Sequence, residues 1–92
     1  MDNRYPLPLL SATTYASFQR LPGWDLPSTY AGWQAEHVRE KTARGKAGHS
    51  VVEVPIDLAR FVRYCDERGL KYTGQNLLNF AIEMAFSGNS AA

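Results

Sequence analysis

Three valines at positions 51, 52 and 54, followed at once by Pro55, restrict the segment SVVEVP to one short β-strand. β-Branched side chains suit a pleated surface, and proline ends the ladder because it has no N–H to donate. With a period of two, Val52 and Val54 share one face, while His49, Val51 and Glu53 share the other. The segments after the strand are helical. Asp57 is placed to cap a helix whose Leu58, Phe61, Val62 and Cys65 fall at i, i+3, i+4 and i+7, and Gly69 stands where a left-handed terminating residue is wanted. Thr73 can cap a last helix in which Leu77, Leu78, Phe80, Ala81, Ile82, Met84, Ala85 and Phe86 leave only Asn76, Asn79 and Glu83 as a polar seam. Residues 49–86 thus read as a strand, helix, helix core.

A five-residue strand leaves a row of backbone donors and acceptors that must be paired. No second segment announces itself as the partner, so pairing with another copy of the chain is expected. The near-continuous apolar surface of the last helix points the same way, because so small a monomer has few neighbours to cover it. Ninety-two residues bury only about 60 to 65% of the unfolded chain's surface, which leaves room for a second chain to complete the core. The expected dimer interface is Val52, Val54, Leu78, Ile82 and Phe86. The competing arrangement keeps the strand within the chain, with Thr13 to Phe18 as its partner.

Residues 1–27 hold four of the five prolines, at positions 6, 8, 22 and 27, and read as an arm with local turns. Tyr5, Leu7, Leu9, Leu10, Tyr15, Phe18, Leu21 and Trp24 make that arm too apolar to float in water, so it is expected to wrap the rest of the molecule. Ser11 can cap a short helix through Thr14, Tyr15, Phe18 and Gln19, stopped by Pro22, although the two threonines also suit an extended segment. Ser28 is the expected cap of a helix over residues 28–44, stopped at Gly45. Tyr30, Trp33 and His37 share its inner face with Val38 and the aliphatic part of Lys41, and Glu40 and Arg44 are spaced as an i,i+4 pair. The segment GKAGH is a polar connector into the strand. Together these make one domain, 1–92, of small, mainly helical α+β class.

Several chemistries lack their residues. A formal net charge of +1 gives no global field toward nucleic acid or anionic lipid. The most apolar stretch is too short and too interrupted for a membrane span, and with no recognisable signal segment and one cysteine a cytoplasmic location is expected. His37, His49 and Cys65 do not form any familiar metal-binding spacing, and Cys65 lies on the buried stripe of its helix, where a thiol behaves as a small hydrophobe. Gly45 and Gly48 around Lys46 do not make a phosphate loop. Arg39, Lys41, Arg44 and Lys46 form a basic cluster, but Glu36 and Glu40 are interleaved with it, as on a solvated helix end. The segment YPLPLL lacks the P-x-x-P spacing of a proline-rich ligand and is expected to pack on its own domain. His49 and Glu53, on one strand face, are expected to form a solvated contact rather than an active site.

The run VEVPIDLARFVRYCDERGLKYTGQNLLNFAIEMA resembles the ribbon-helix-helix family. The likeness rests on Val52 and Val54 facing inward, Pro55 at the strand end, Leu58 and Phe61 on the first helix, Gly69 between helices, and Leu77, Leu78 and Ala81 on the second. It implies a two-fold dimer whose antiparallel strands enter the major groove, with His49, Val51 and Glu53 turned to the bases, and with Lys71, Thr73 and the start of the last helix near a phosphate. Val51 offers the bases no hydrogen bond and Glu53 repels phosphates, a departure from the polar and basic residues which that family places there. Residues 30–80, with Y-x-x-W, a valine-rich strand, F-x-x-Y and a glycine turn, also resemble small uncharacterised bacterial proteins, a likeness that implies no activity.

The resulting expectation is a non-catalytic protein-interaction or accessory regulatory protein without a cofactor. It would be a homodimer, with a further protein partner allowed. The alternative is a DNA-binding transcriptional regulator or antitoxin of ribbon-helix-helix type.

Overall fold

A computed structural model of the chain describes residues 3–87. The elements run β1 (Arg4–Leu9), α1 (Ala12–Phe18), α2 (Tyr30–Lys46), β2 (Ser50–Pro55), α3 (Leu58–Arg68) and α4 (Gly74–Ser87). The class is α+β and mainly helical, with one two-stranded sheet among the described residues.

The partner of β2 lies within the chain. It is β1, paired in parallel from Arg4 opposite Ser50 to Leu9 opposite Pro55. This corrects the expectation that no segment of the chain would pair with the valine strand. The alternative, a second strand supplied by the arm, agrees with this pairing except in the segment: Thr13 to Phe18 belongs to α1, where Ser11 accepts the Thr14 N–H at 3.1 Å. Parallel neighbours need a long crossover, and α1 and α2 supply it.

Pro6 and Pro8 do not break β1 because of the side to which they point. The bonds flanking the ladder, Ser50 N–H to Asn3 O and Ile56 N–H to Leu9 O, fix which backbone groups cross the sheet. In β1 they belong to the odd-numbered residues, so Pro6 and Pro8 turn their nitrogens to the outer edge, where no donor is required.

The helix boundaries follow their caps. Asp57 accepts the Arg60 N–H at 3.0 Å, and Gly69 ends α3 in the left-handed conformation, φ 66°, as its sequence predicts. The second helix begins one residue beyond the expected cap: Thr29, not Ser28, accepts the Gly32 N–H at 3.0 Å. It also continues through Gly45 to Lys46, and the left-handed turn falls at Gly48, φ 93°. Gly45 has an ordinary helical φ, so its lack of a Cβ does not stop the helix.

One core joins all the helices. Leu10, Tyr15, Phe18, Phe61, Cys65, Leu77 and Ala81 are almost completely buried, with Trp33, Val54, Ile56 and Phe80 close behind. Phe61 is central, with the rings of Phe18, Phe80 and Tyr72 around it at 5.8, 5.9 and 6.4 Å between centroids. The arm is therefore structural. Its Tyr15 hydroxyl donates to Pro27 O at 2.5 Å, Tyr30 donates back to Leu10 O at 2.9 Å, and the Gln19 side-chain amide donates to Ser28 O. Burial pushes the Tyr15 phenol above its ordinary pKa.

Candidate functional site

The two faces of the sheet are used differently. Paired residues of parallel strands share a face, so Tyr5, Leu7, Val51 and Glu53 form one surface and Pro6, Pro8, Val52 and Val54 the other. The first surface meets α2. Glu53 Oε2 lies 2.8 Å from His37 Nε2 and 3.5 Å from Lys41 Nζ. His37 is itself stacked on Trp33 at 4.8 Å. The hydrogen bond from His37, reinforced by the Lys41 charge, holds the Glu53 carboxyl below its ordinary pKa. Beside them the Arg44 guanidinium sits over Tyr5 at 4.3 Å and bonds Glu40 at 2.7 Å, the i,i+4 pair expected from the sequence. Val38, expected on the inner face of α2, is 59% exposed.

The second surface is open toward the end of α4. Arg4, Pro6, Val52, Glu53, Val54 and Pro55 of the sheet, with Met84, Ala85 and Phe86 of α4, line a groove of about 280 Å³. Phe86 forms its lip, 44% exposed, with the Arg4 guanidinium 4.9 Å from its ring centroid.

Between these faces runs the outer edge of β2. Even-numbered residues of β2 bond to β1, so the N–H and C=O groups of Val51 and Glu53 point away from the sheet. At one end of this edge the His49 N–H already donates to Arg44 O at 3.0 Å, and at the other Pro55 has no donor. Val51 and Val52 remain only half-buried.

The expected interface residues separate accordingly. Val52, Val54 and Phe86 meet at the groove, whereas Leu78 lines a different cavity of about 240 Å³ with Leu7, Pro8, Trp33 and Leu77. Ile82 is half-buried within α4 and lines neither cavity. The last helix is less bare than its sequence implies, because Leu77, Phe80 and Ala81 are buried inside the monomer.

The residues assigned to DNA by resemblance are engaged elsewhere. The His49 ring lies 5.4 Å from that of Tyr5, and Val51 and Glu53 belong to the face that meets α2. Glu53 bonds His37 rather than His49. Lys71 is exposed, but the first turn of α4 is already occupied: Thr73 Oγ1 accepts the Asn76 N–H at 3.3 Å and Asp25 accepts the Gly74 N–H at 2.7 Å. Cys65 is buried, and burial raises its thiol pKa, with Asp66 adding to the effect. No group of three or more possible metal ligands occurs among the described residues, and none of their helices is long and apolar enough to cross a membrane.

Sequence reasoning missed Arg4, Pro6 and Met84 at the groove and His37 as the partner of Glu53. The spacing of Pro6 and Pro8 between Tyr5, Leu7 and Leu9 was the available signal: two prolines on one side of an extended segment leave its other side free to pair. No protein family, curated protein or solved structure matches the chain.

Proposed function

We propose that this chain acts by protein association, without catalysis, and that its first partner is a second copy joined through β2. The observation that carries the reading is the difference between the two sheet edges. Pro6 and Pro8 strip donors from the outer edge of β1, a common protection against unwanted pairing. The outer edge of β2 keeps the Val51 and Glu53 donors and is bordered by a groove whose apolar lining includes Val52, Val54, Met84 and Phe86. An exposed strand with side-chain pockets beside it is the arrangement used in strand addition, where backbone bonds give affinity and pockets give specificity. A regulatory or accessory role fits such a surface.

The ribbon-helix-helix alternative draws less support, since the strand face it would present to bases meets α2 through Glu53 and His37.

Light scattering after size exclusion tests the proposal. A dimer at tens of micromolar is expected, and a strict monomer at that concentration overturns it. Val51→Pro removes one outer donor and spares the inner ladder, so it should shift the chain toward monomer while leaving far-ultraviolet circular dichroism unchanged. Titration with mixed-sequence duplex at low salt should show no binding; a steep salt-dependent affinity would favour the regulator instead.

A further inference from the structure

We infer that the two copies pair their β2 strands antiparallel about a two-fold axis at Val52, making a four-stranded sheet in the order β1, β2, partner β2, partner β1. This rests on the association proposed above and specifies its register. Within β2 only Val51 and Glu53 offer an outward donor together with an outward acceptor, and they stand symmetrically on either side of Val52.

Three symmetric registers pair these two residues with each other or with their own counterparts, and their ends and charges separate them. Centring on Glu53 sets two carboxylates directly opposite each other, which is unfavourable across a strand pair. Centring on Val51 brings Glu53 against His49 of the partner subunit, where the edge is closed by the bond from the His49 N–H to the end of α2. Centring on Val52 lets Val51 and Glu53 exchange both bonds with their counterparts. It leaves opposite each other the two positions without a free donor, His49 with its N–H already used and Pro55 with none. The ladder then stops at both ends for internal reasons.

The side chains agree with that register. Val52 would meet its counterpart as a non-hydrogen-bonded pair, the closer of the two antiparallel types, with Cα atoms roughly 4.5 Å apart. Both valines lie on the groove face, so the grooves of the two copies would run together, with Val52, Val54 and Phe86 of each as the apolar part of the joint surface and Arg4 at its margin. Glu53 lies on the other face, its charge already met by His37 and Lys41 before the strands approach. The isologous arrangement closes on itself, so it makes a dimer and not a fibre.

Cysteine cross-linking in the full chain tests the register. A pair at this separation falls within disulfide reach, about 4.4 to 6.8 Å between Cα atoms. Under mild oxidation Val52→Cys should form a covalent dimer at least tenfold faster than Val54→Cys or Val51→Cys. The unaltered chain, whose Cys65 is buried, serves as the uncross-linked control. Amide exchange on the unaltered chain gives a second readout: Val51 and Glu53 N–H should gain protection as concentration rises, and His49 N–H should not change. Light scattering that shows a dimer in which Val51→Cys or Val54→Cys links as fast as Val52→Cys overturns the register alone. A strict monomer overturns the association as well.

Discussion

Asp25 accepts the Gly74 N–H at 2.7 Å, fastening the arm to the first turn of α4. The close approach depends on glycine, because a Cβ at position 74 would come within 2.6 Å of Leu26 Cδ2 and 3.1 Å of its Cγ. The start of α4 is thus held by an internal carboxylate, which serves both an unpaired helix donor and the positive end of the helix dipole.

Removing that carboxylate with Asp25→Ala should lower unfolding stability by about 1 kcal/mol, the usual cost of a lost cap. Gly74→Ala should cost about 1 kcal/mol through crowding against Leu26, and the penalty should shrink in a Leu26→Ala background. Urea denaturation of the single and double variants measures both effects; strict additivity would contradict the close contact.

Glu53 supplies a pH dependence whose sign is set by its depressed folded pKa, caused first by the His37 hydrogen bond. The unfolded state holds the proton more tightly, so the contribution is present above the unfolded value near pH 4.5 and is lost as pH falls through the folded value. Glu53→Gln should destabilise the neutral-pH protein by about 0.5 kcal/mol, a small amount because the pair is partly solvated. That difference should vanish in strongly acidic solution. Stability measured across the acid range decides it.

Two phenylalanines should behave oppositely. Phe61→Ala empties the centre of the core and should cost about 3 to 5 kcal/mol, enough to unfold much of a small domain. Phe86→Ala, at the groove lip, should leave monomer stability within about 0.5 kcal/mol while raising the dissociation constant of the proposed dimer roughly tenfold. Thermal unfolding reports the first and analytical ultracentrifugation the second.

Cys65 should report on unfolding. Buried and held as the thiol, it should react with iodoacetamide at about pH 8 at least a hundredfold more slowly in the native chain than in denaturant. Destabilising variants such as Asp25→Ala should speed the reaction in proportion to their opening equilibrium.

Local chemistry made parts of this fold legible. Asp57 and Gly69 mark α3 because a cap and a left-handed stop act within a few residues, and the stripe from Leu58 to Cys65 needs only the helical period. The identity of the strand partner is of another kind. Pro6 and Pro8 read as breakers until the side on which they lose a donor is known, and that side is defined only by β2. The site was hidden for the same reason. Val52, Val54 and Phe86 stand out as apolar, but the free edge beside them is a property of pairing, and the tie from His37 to Glu53 depends on how α2 crosses the sheet.

The parallel pairing of β1 with β2 also sets an order in time. During synthesis β1 emerges with no strand to join until α1, α2 and residues 50–55 have been made, and its loop must close over that whole stretch. Helical turns form faster than such long-range ladders, so α2 should exist before the sheet does, and sheet formation should limit the folding rate. In that interval the valines of β2 lack their internal neighbour, and the prolines of β1 keep the waiting strand from presenting a full set of donors to other nascent chains.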